Sequence, residues 1–130
     1  MEDRYLFKAK DCNSIWRAGL LIGLQECRCA IEEKDGSKWA CNSKTICQCT
    51  GLKDKNGKLI WENDVVGFWD TYSTENGRAE ADCIGKVVWD DETISFQVTN
   101  RLSAESYEVL DECSVIGNKF DNPELLEVGL

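Results

Sequence analysis

The stretch Thr50–Asp64, TGLKDKNGKLIWEND, decides how the rest of the chain is read. Asn56-Gly57 stands between two short runs that can pair. A two-residue type I′ turn needs φ > 0 at both central positions, which Asn tolerates and Gly adopts freely. The spacing therefore predicts a hairpin with arms Leu52–Lys55 and Lys58–Trp61. Glu62-Asn63-Asp64 then turns the chain into the apolar run Val65, Val66, Gly67, Phe68, Trp69.

Upstream, Arg4–Lys10 alternates as a strand, with Tyr5, Phe7 and Ala9 on one face and Arg4, Lys8 and Lys10 towards solvent. After a turn at Asp11–Ser14, a second strand runs from Ile15 to about Leu24. Trp16, Ala18, Leu20, Ile22 and Leu24 share one side of it. Gly19 and Gly23 within it signal bulges or a close backbone approach. Glu26–Ile31 reads as a third strand, Asp35-Gly36 as a further turn, and Trp39-Ala40 as the start of the return strand. The polar Asn42–Thr45 marks the joint between this N-terminal portion and the remainder of the chain.

Downstream, Asp70–Ala81 is polar, carries Asn76-Gly77, and is expected as a mobile loop. Ile84–Trp89 is a strand, Asp90-Asp91-Glu92 a tight turn, and Thr93–Thr99 its returning partner, with Ile94, Phe96 and Val98 facing the core. Ser103–Leu110 is expected as a short helix with Ser103 as N-cap. Ser114–Phe120 is a last strand. Asn122-Pro123-Glu124 then has a helix-start signature: a capping Asn, Pro at the first position and Glu in the first turn. Short strands with Gly, Asn and Asp turns throughout point to an all-β barrel or sandwich with minor helix.

Composition narrows the function. The 130 residues include 42% hydrophobic and 30% charged residues, which suits a folded domain. The longest apolar run, Ala18–Leu24, falls short of the ~18 residues a membrane span needs. The opening Met1–Tyr5 lacks a secretory pattern, so a cytoplasmic protein without membrane contact is expected. The formal charge of −9 disfavours non-specific nucleic-acid binding.

Eight cysteines stand at 12, 27, 29, 41, 47, 49, 83 and 113. Cys27/Cys29 and Cys47/Cys49 have C-x-C spacing with Cys41 between them, so four thiols could face one Zn²⁺ from paired strands. Zinc knuckles usually need the longer C-x₂-C turn. The residues therefore favour reduced, buried or half-buried thiols over a metal site or disulfides. With no histidine, no paired nucleophile and base, and no phosphate loop, we expect no catalytic, cofactor or metal residues. The acids at Asp90–Glu92 are expected to face solvent. Trp16, Trp39, Trp61, Trp69 and Trp89 lie in predicted strands, most of them in the core, with an aromatic peptide groove as the alternative. Lys53, Lys55 and Lys58 gather on the central hairpin.

TGLKDKNGKLIWENDVV, the strand GKVVWDDETISFQV and the ending SVIGNKFDNPELLE together resemble the YopX-like family of phage and prophage proteins. The opening RYLFKAKD and Trp16–Leu20 are also similar to the family's N-terminal pattern. The chain departs from it at Trp61, where Tyr or Phe is usual, at Asn63, where Gly is usual, and at Cys49, where an aromatic is common. The resemblance implies an N-terminal β subdomain over 1–46, packed against an SH3-like pseudo-barrel with a short capping helix over 47–130. It also implies a homo-oligomer of phage or prophage origin, and no catalytic residues. Residues and resemblance together lead us to expect a non-enzymatic binding or self-assembling protein with an unidentified phage or host protein as partner. The alternative is a nucleic-acid-associated small β-barrel working through the lysine hairpin.

Overall fold

The computed structural model describes residues 5–101, 106–108 and 112–127, with the backbone alone at 70–74, 78–81, 106 and 107. Among the described residues eleven strands follow in order: β1 (Phe7–Lys10), β2 (Trp16–Leu24), β3 (Arg28–Glu32), β4 (Lys38–Asn42), β5 (Cys47–Lys53), β6 (Leu59–Trp61), β7 (Asp64–Thr74), β8 (Gly77–Asp90), β9 (Ser95–Asn100), β10 (Ser106–Glu108) and β11 (Ser114–Asn118). Two antiparallel sheets result, ordered β4-β3-β2-β1-β5-β6 and β10-β9-β8-β7-β11. The protein is mainly β, and the helical segments described in it are short 3₁₀ turns, including Ser43–Thr45 and Pro123–Leu126. The chain divides into two compact units, Met1–Gly51 and Leu52–Leu130, with β5 running through the division. Residues at the start of β5 pair with β1, Gln48 opposite Phe7 and Cys47 opposite Lys8.

In the first unit, strand parity sorts the side chains. Phe7, Ala9, Leu21, Cys29, Ile31, Trp39 and Cys41 gather on one side with Ile46 and form the core. The sheet curls strongly: a bridge joins Asp11, just past β1, to Cys41 of β4. Gly19 makes the curl possible, since a Cβ there would lie 2.1 Å from the Glu32 carbonyl oxygen. Gly23 marks the bulge that its composition signals. The β2–β3 register slips between Leu21 and Gly23, which puts Leu24 opposite Cys29 and takes it off the Trp16–Leu20 side.

The second unit's core is Ile60, Val66, Val87, Val98 and Cys113, with Phe68, Phe96 and Val115 against them. Gly85 has the role Gly19 has in the first unit: an added Cβ would meet the Thr99 carbonyl oxygen at 2.4 Å and Val98 Cγ1 at 2.7 Å. At Gly117 the strand bends. The β11–β7 register shifts there, and an added Cβ would strike the Asn122 side chain.

Five expectations need correction. The central hairpin does not use a two-residue type I′ turn. Gly57 alone has positive φ (81°), its N–H donates to the Asp54 carbonyl (3.0 Å), and the Asp54 N–H donates to the Lys58 carbonyl (2.8 Å). That is a three-residue loop with glycine at the left-handed position, because the Asp54 carboxylate captures the Asn56 and Lys58 N–H groups, both at 2.9 Å.

Next, 70–81 is no loop. β7 and β8 stay paired out to Thr74 opposite Gly77, since backbone pairing needs no apolar side chains. Ile94 leaves the core. It sits in the turn with φ 52° and 74% exposure, so β9 begins one residue later at Ser95. Ser106–Glu108 is strand paired with β9 rather than helix, while the rest of the expected 103–110 helix lies outside the described residues. Last, Asn122 precedes a 3₁₀ turn with Pro123 leading it, and makes no side-chain cap. Its Oδ1 accepts the Asn118 N–H instead (3.2 Å).

Candidate binding surfaces

Asp11 is the polar centre of the first unit. Its Oδ1 accepts the N–H groups of Asn13 (2.8 Å) and Ile15 (3.0 Å), and its Oδ2 accepts Arg17 Nε (2.9 Å). The Ile15 N–H foremost, helped by Arg17 and Asn13, holds the Asp11 carboxyl below its ordinary value. Arg17 also lies 3.5 Å from the centre of the Trp39 ring and 3.7 Å from Glu33 Oε1. These groups satisfy one another, so they fix the curl of the sheet and offer no open chemistry.

The cysteines do not converge. Cys29 and Cys41 face each other across β3 and β4 in the core, Cys47 and Cys49 are buried in β5, and Cys27 is exposed. Cys83 and Cys113 belong to the second unit, while Cys12 is exposed in the Asp11 turn. Among the described residues no three Cys, Asp or Glu side chains are placed to share a metal ion. Burial raises the Cys29 thiol pKa and, with the neighbouring Cys29 and Asp11 charges, pushes Cys41 up to about 11. Both hold their protons more tightly than a free thiol, which makes them poorer nucleophiles at neutral pH.

The acids at the second hairpin serve the turn itself. Asp90 Oδ1 accepts the Glu92 N–H (3.0 Å), and Asp91 Oδ1 accepts the Trp89 indole N–H (2.9 Å). Two pairs of tryptophans that share a sheet lie on opposite faces of it. Trp16 and Trp39 have opposite parity on the first sheet, as Trp69 and Trp89 have on the second. Trp69 and Trp89 are exposed, contrary to the core expected for most of the five, and the other three are half-buried. Trp89 keeps an edge-on contact with Phe96, the ring centres 5.1 Å apart. Lys53, Lys55 and Lys58 are all exposed.

Two surfaces stand out that sequence reading did not isolate. The first is apolar. On β2 and the residue before it, Ile15, Leu20, Ile22 and Leu24 are exposed, Leu24 at 64% and Leu20 at 54%. Between Leu20 and the β3–β4 turn the surface dips into a cavity of about 410 Å³ whose wall includes Leu6, Ala18 and Glu33. The alternation placed Ala18, Leu20 and Ile22 together on one side. What it could not say was which side of the sheet the core takes.

The second feature is charge. The first unit has eight basic and seven acidic residues, net +1. The second has seven basic and seventeen acidic, net −10. The whole excess of negative charge therefore belongs to the second unit, which also carries the lysine hairpin.

The family model described as YopX protein matches residues 7–127. The chain belongs to the YopX protein family. No curated protein matches it. Two of this YopX chain's departures from the family pattern now have a physical setting. Asn63 stands where Gly is usual, and its φ of 71° is the left-handed region that Gly adopts freely and Asn tolerates better than other side chains. Cys49 stands where an aromatic is common and is fully buried. Among the described residues no helix is long and apolar enough to cross a membrane.

Proposed function

We propose that this YopX protein is a non-enzymatic accessory protein of a phage or prophage, working in the cytoplasm of the host cell as a protein-binding or self-assembling module. The observation that carries the reading is exposed Leu20 on β2 at the rim of the hollow walled by Leu6 and Ala18, with Ile22 exposed at the adjoining bulge. Single exposed apolar residues are ordinary, but apolar side chains that rim a hollow suit another protein. Either a second copy of the chain or an unrelated phage or host protein would fit that surface. The nucleic-acid alternative is weakened by the lysines' setting, because Lys53, Lys55 and Lys58 project from the unit with net −10.

We further read the second unit as an SH3-like pseudo-barrel. Its five antiparallel strands and terminal 3₁₀ turn are parts such a barrel uses, although the order β10-β9-β8-β7-β11 is open among the described residues.

The test uses the double variant Leu20→Lys/Ile22→Lys. Both positions are exposed, so folding should be unaffected while association is lost. We expect a wild-type protein that self-associates in sedimentation, or retains a partner protein from nuclease-treated host lysate, and a variant that does neither. Association unchanged in the variant, or abolished by nuclease, overturns the reading.

A further inference from the structure

An apolar hollow selects its occupant through the charged groups around it, because they decide which ligands approach and in what register. The hollow of about 410 Å³ beside Leu20 has unlike surroundings on its two sides. On the β3–β4 side stand Glu32, Glu33 and Lys34, one negative charge in excess. On the β1 side the charge is positive. Residues directly opposite each other in an antiparallel pair share a face of the sheet. Lys8 lies opposite Ala18, which lines the hollow, and Lys10 lies opposite Trp16. Lys8 Nζ is 4.7 Å, and Lys10 Nζ 5.4 Å, from the centre of the Trp16 ring. Two ammonium groups therefore gather at Trp16, two residues along β2 from the hollow.

Two residues of strand cover about 7 Å, and the side chains on one face of any extended peptide repeat at that distance. An apolar side chain over Ala18 and a carboxylate at Trp16 can thus belong to one extended segment. Glu32 and Glu33 disfavour a carboxylate over the hollow itself, whereas Lys8 and Lys10 favour one at Trp16. The first unit, at net +1, also receives an acidic ligand that the second, at net −10, repels. With two ammonium groups already at its ring, Trp16 is a poor stacking platform for a nucleic-acid base.

We propose that this face of the first unit binds an extended acidic peptide. One apolar side chain of the peptide enters the hollow, and an Asp or Glu two positions away meets Lys8 and Lys10. This assignment rests on the protein-binding role of the Leu20 hollow and adds the chemistry of the partner.

The probe is a displayed library of random twelve-residue peptides, selected on the whole protein at low salt and remade as free peptides. We expect selected peptides with Leu, Ile, Met or Phe two positions from Asp or Glu. Exchanging that acid for its amide should weaken binding by about tenfold, as should Lys8→Gln/Lys10→Gln in the protein. Lys53→Gln, on the exposed hairpin, should leave affinity unchanged. The exchange within the peptide decides the matter even if the lysine variant fails to fold. No selected peptide, peptides without the acid, affinity indifferent to the exchange, or tighter binding of a twelve-nucleotide oligothymidylate overturns the proposal. A second copy or partner lost in Leu20→Lys/Ile22→Lys but kept in Lys8→Gln/Lys10→Gln overturns it too, while leaving the protein-binding role in place.

Discussion

Asp11 in the first unit and Asp54 in the second hold the same turn with the same atoms. In each, Oδ1 accepts the N–H groups two and four residues ahead, and the aspartate N–H donates to the carbonyl of the fourth residue. In each, the residue three ahead takes positive φ: Ser14 at 61° and Gly57 at 81°. The difference lies in the other oxygen. Asp11 Oδ2 accepts from Arg17, inside the same hairpin, whereas Asp54 Oδ2 accepts the Val115 N–H, 61 residues away on β11 (2.9 Å). The Lys55 N–H adds a second link at the Cys113 carbonyl, just before β11 (3.0 Å). The same local device closes a hairpin in one unit and ties down an edge strand in the other. A buried carboxylate with two acceptor oxygens can therefore serve a local and a distant segment at once.

The largest expected effect comes where each unit brings two strands too close for a side chain. Gly19→Ala should cost about 3 kcal/mol or more, because the Cβ meets a backbone oxygen that cannot move without shifting β3. Gly85→Ala should do the same to β9, as chemical denaturation of each variant would reveal. If either variant is as stable as the wild type, the close approach of strands is not what shapes that unit.

Asp54→Ala comes next, at about 2–3 kcal/mol, since it strips the Val115 N–H of its partner along with two turn N–H groups. Asp11→Ala should destabilise less, because Arg17 keeps its place over Trp39 and beside Glu33. Hydrogen exchange would separate the two: β11 amides should lose protection in Asp54→Ala and keep it in Asp11→Ala.

Acid exposes the same pair. Val115, Lys58 and Asn56 N–H groups lower the Asp54 pKa, as the Ile15 N–H and Arg17 lower that of Asp11, from an ordinary 3.8. A depressed folded-state pKa gives stability that is complete above the unfolded value and lost as pH falls through the folded one. Stability should therefore decline below about pH 4, and Asp54→Asn should flatten that decline. An equal slope in the variant would mean that other carboxylates govern acid unfolding.

The smallest effect is the sharpest test of equivalence. Ser14→Gly should stabilise by about 1 kcal/mol, and Gly57→Ser should destabilise by about as much, because a non-glycine residue is strained in the left-handed region. Thermal melts with shifts of the same sign would break the comparison.

Much of this was legible in the sequence. The patterns at Arg4–Lys10, Ile84–Trp89 and Ser114–Phe120 located strands that run Phe7–Lys10, Gly77–Asp90 and Ser114–Asn118, and Asp, Asn and Gly located most of the turns. Gly19 and Gly23 were legible as points of close approach or bulging, since a missing side chain is itself a signal. Ile94 was misread because alternation continues in the sequence past the point where the turn ends, and nothing in its neighbours announces a left-handed residue. The apolar β2 surface was half legible: the pattern grouped Leu20 with Ile22, but a strand with apolar residues on both faces does not say which face the core takes.

The sequence by itself determined the β class, where most of the turns fall, and the family, because these rest on residue preferences within short stretches of chain. Only the tertiary structure decided that Asp54 reaches β11, and that Cys29 faces Cys41 in the core while Cys12 and Cys27 stay exposed. Each of these joins or separates residues far apart in the chain, and strand register and sheet curl, which no local preference encodes, determine which of them meet.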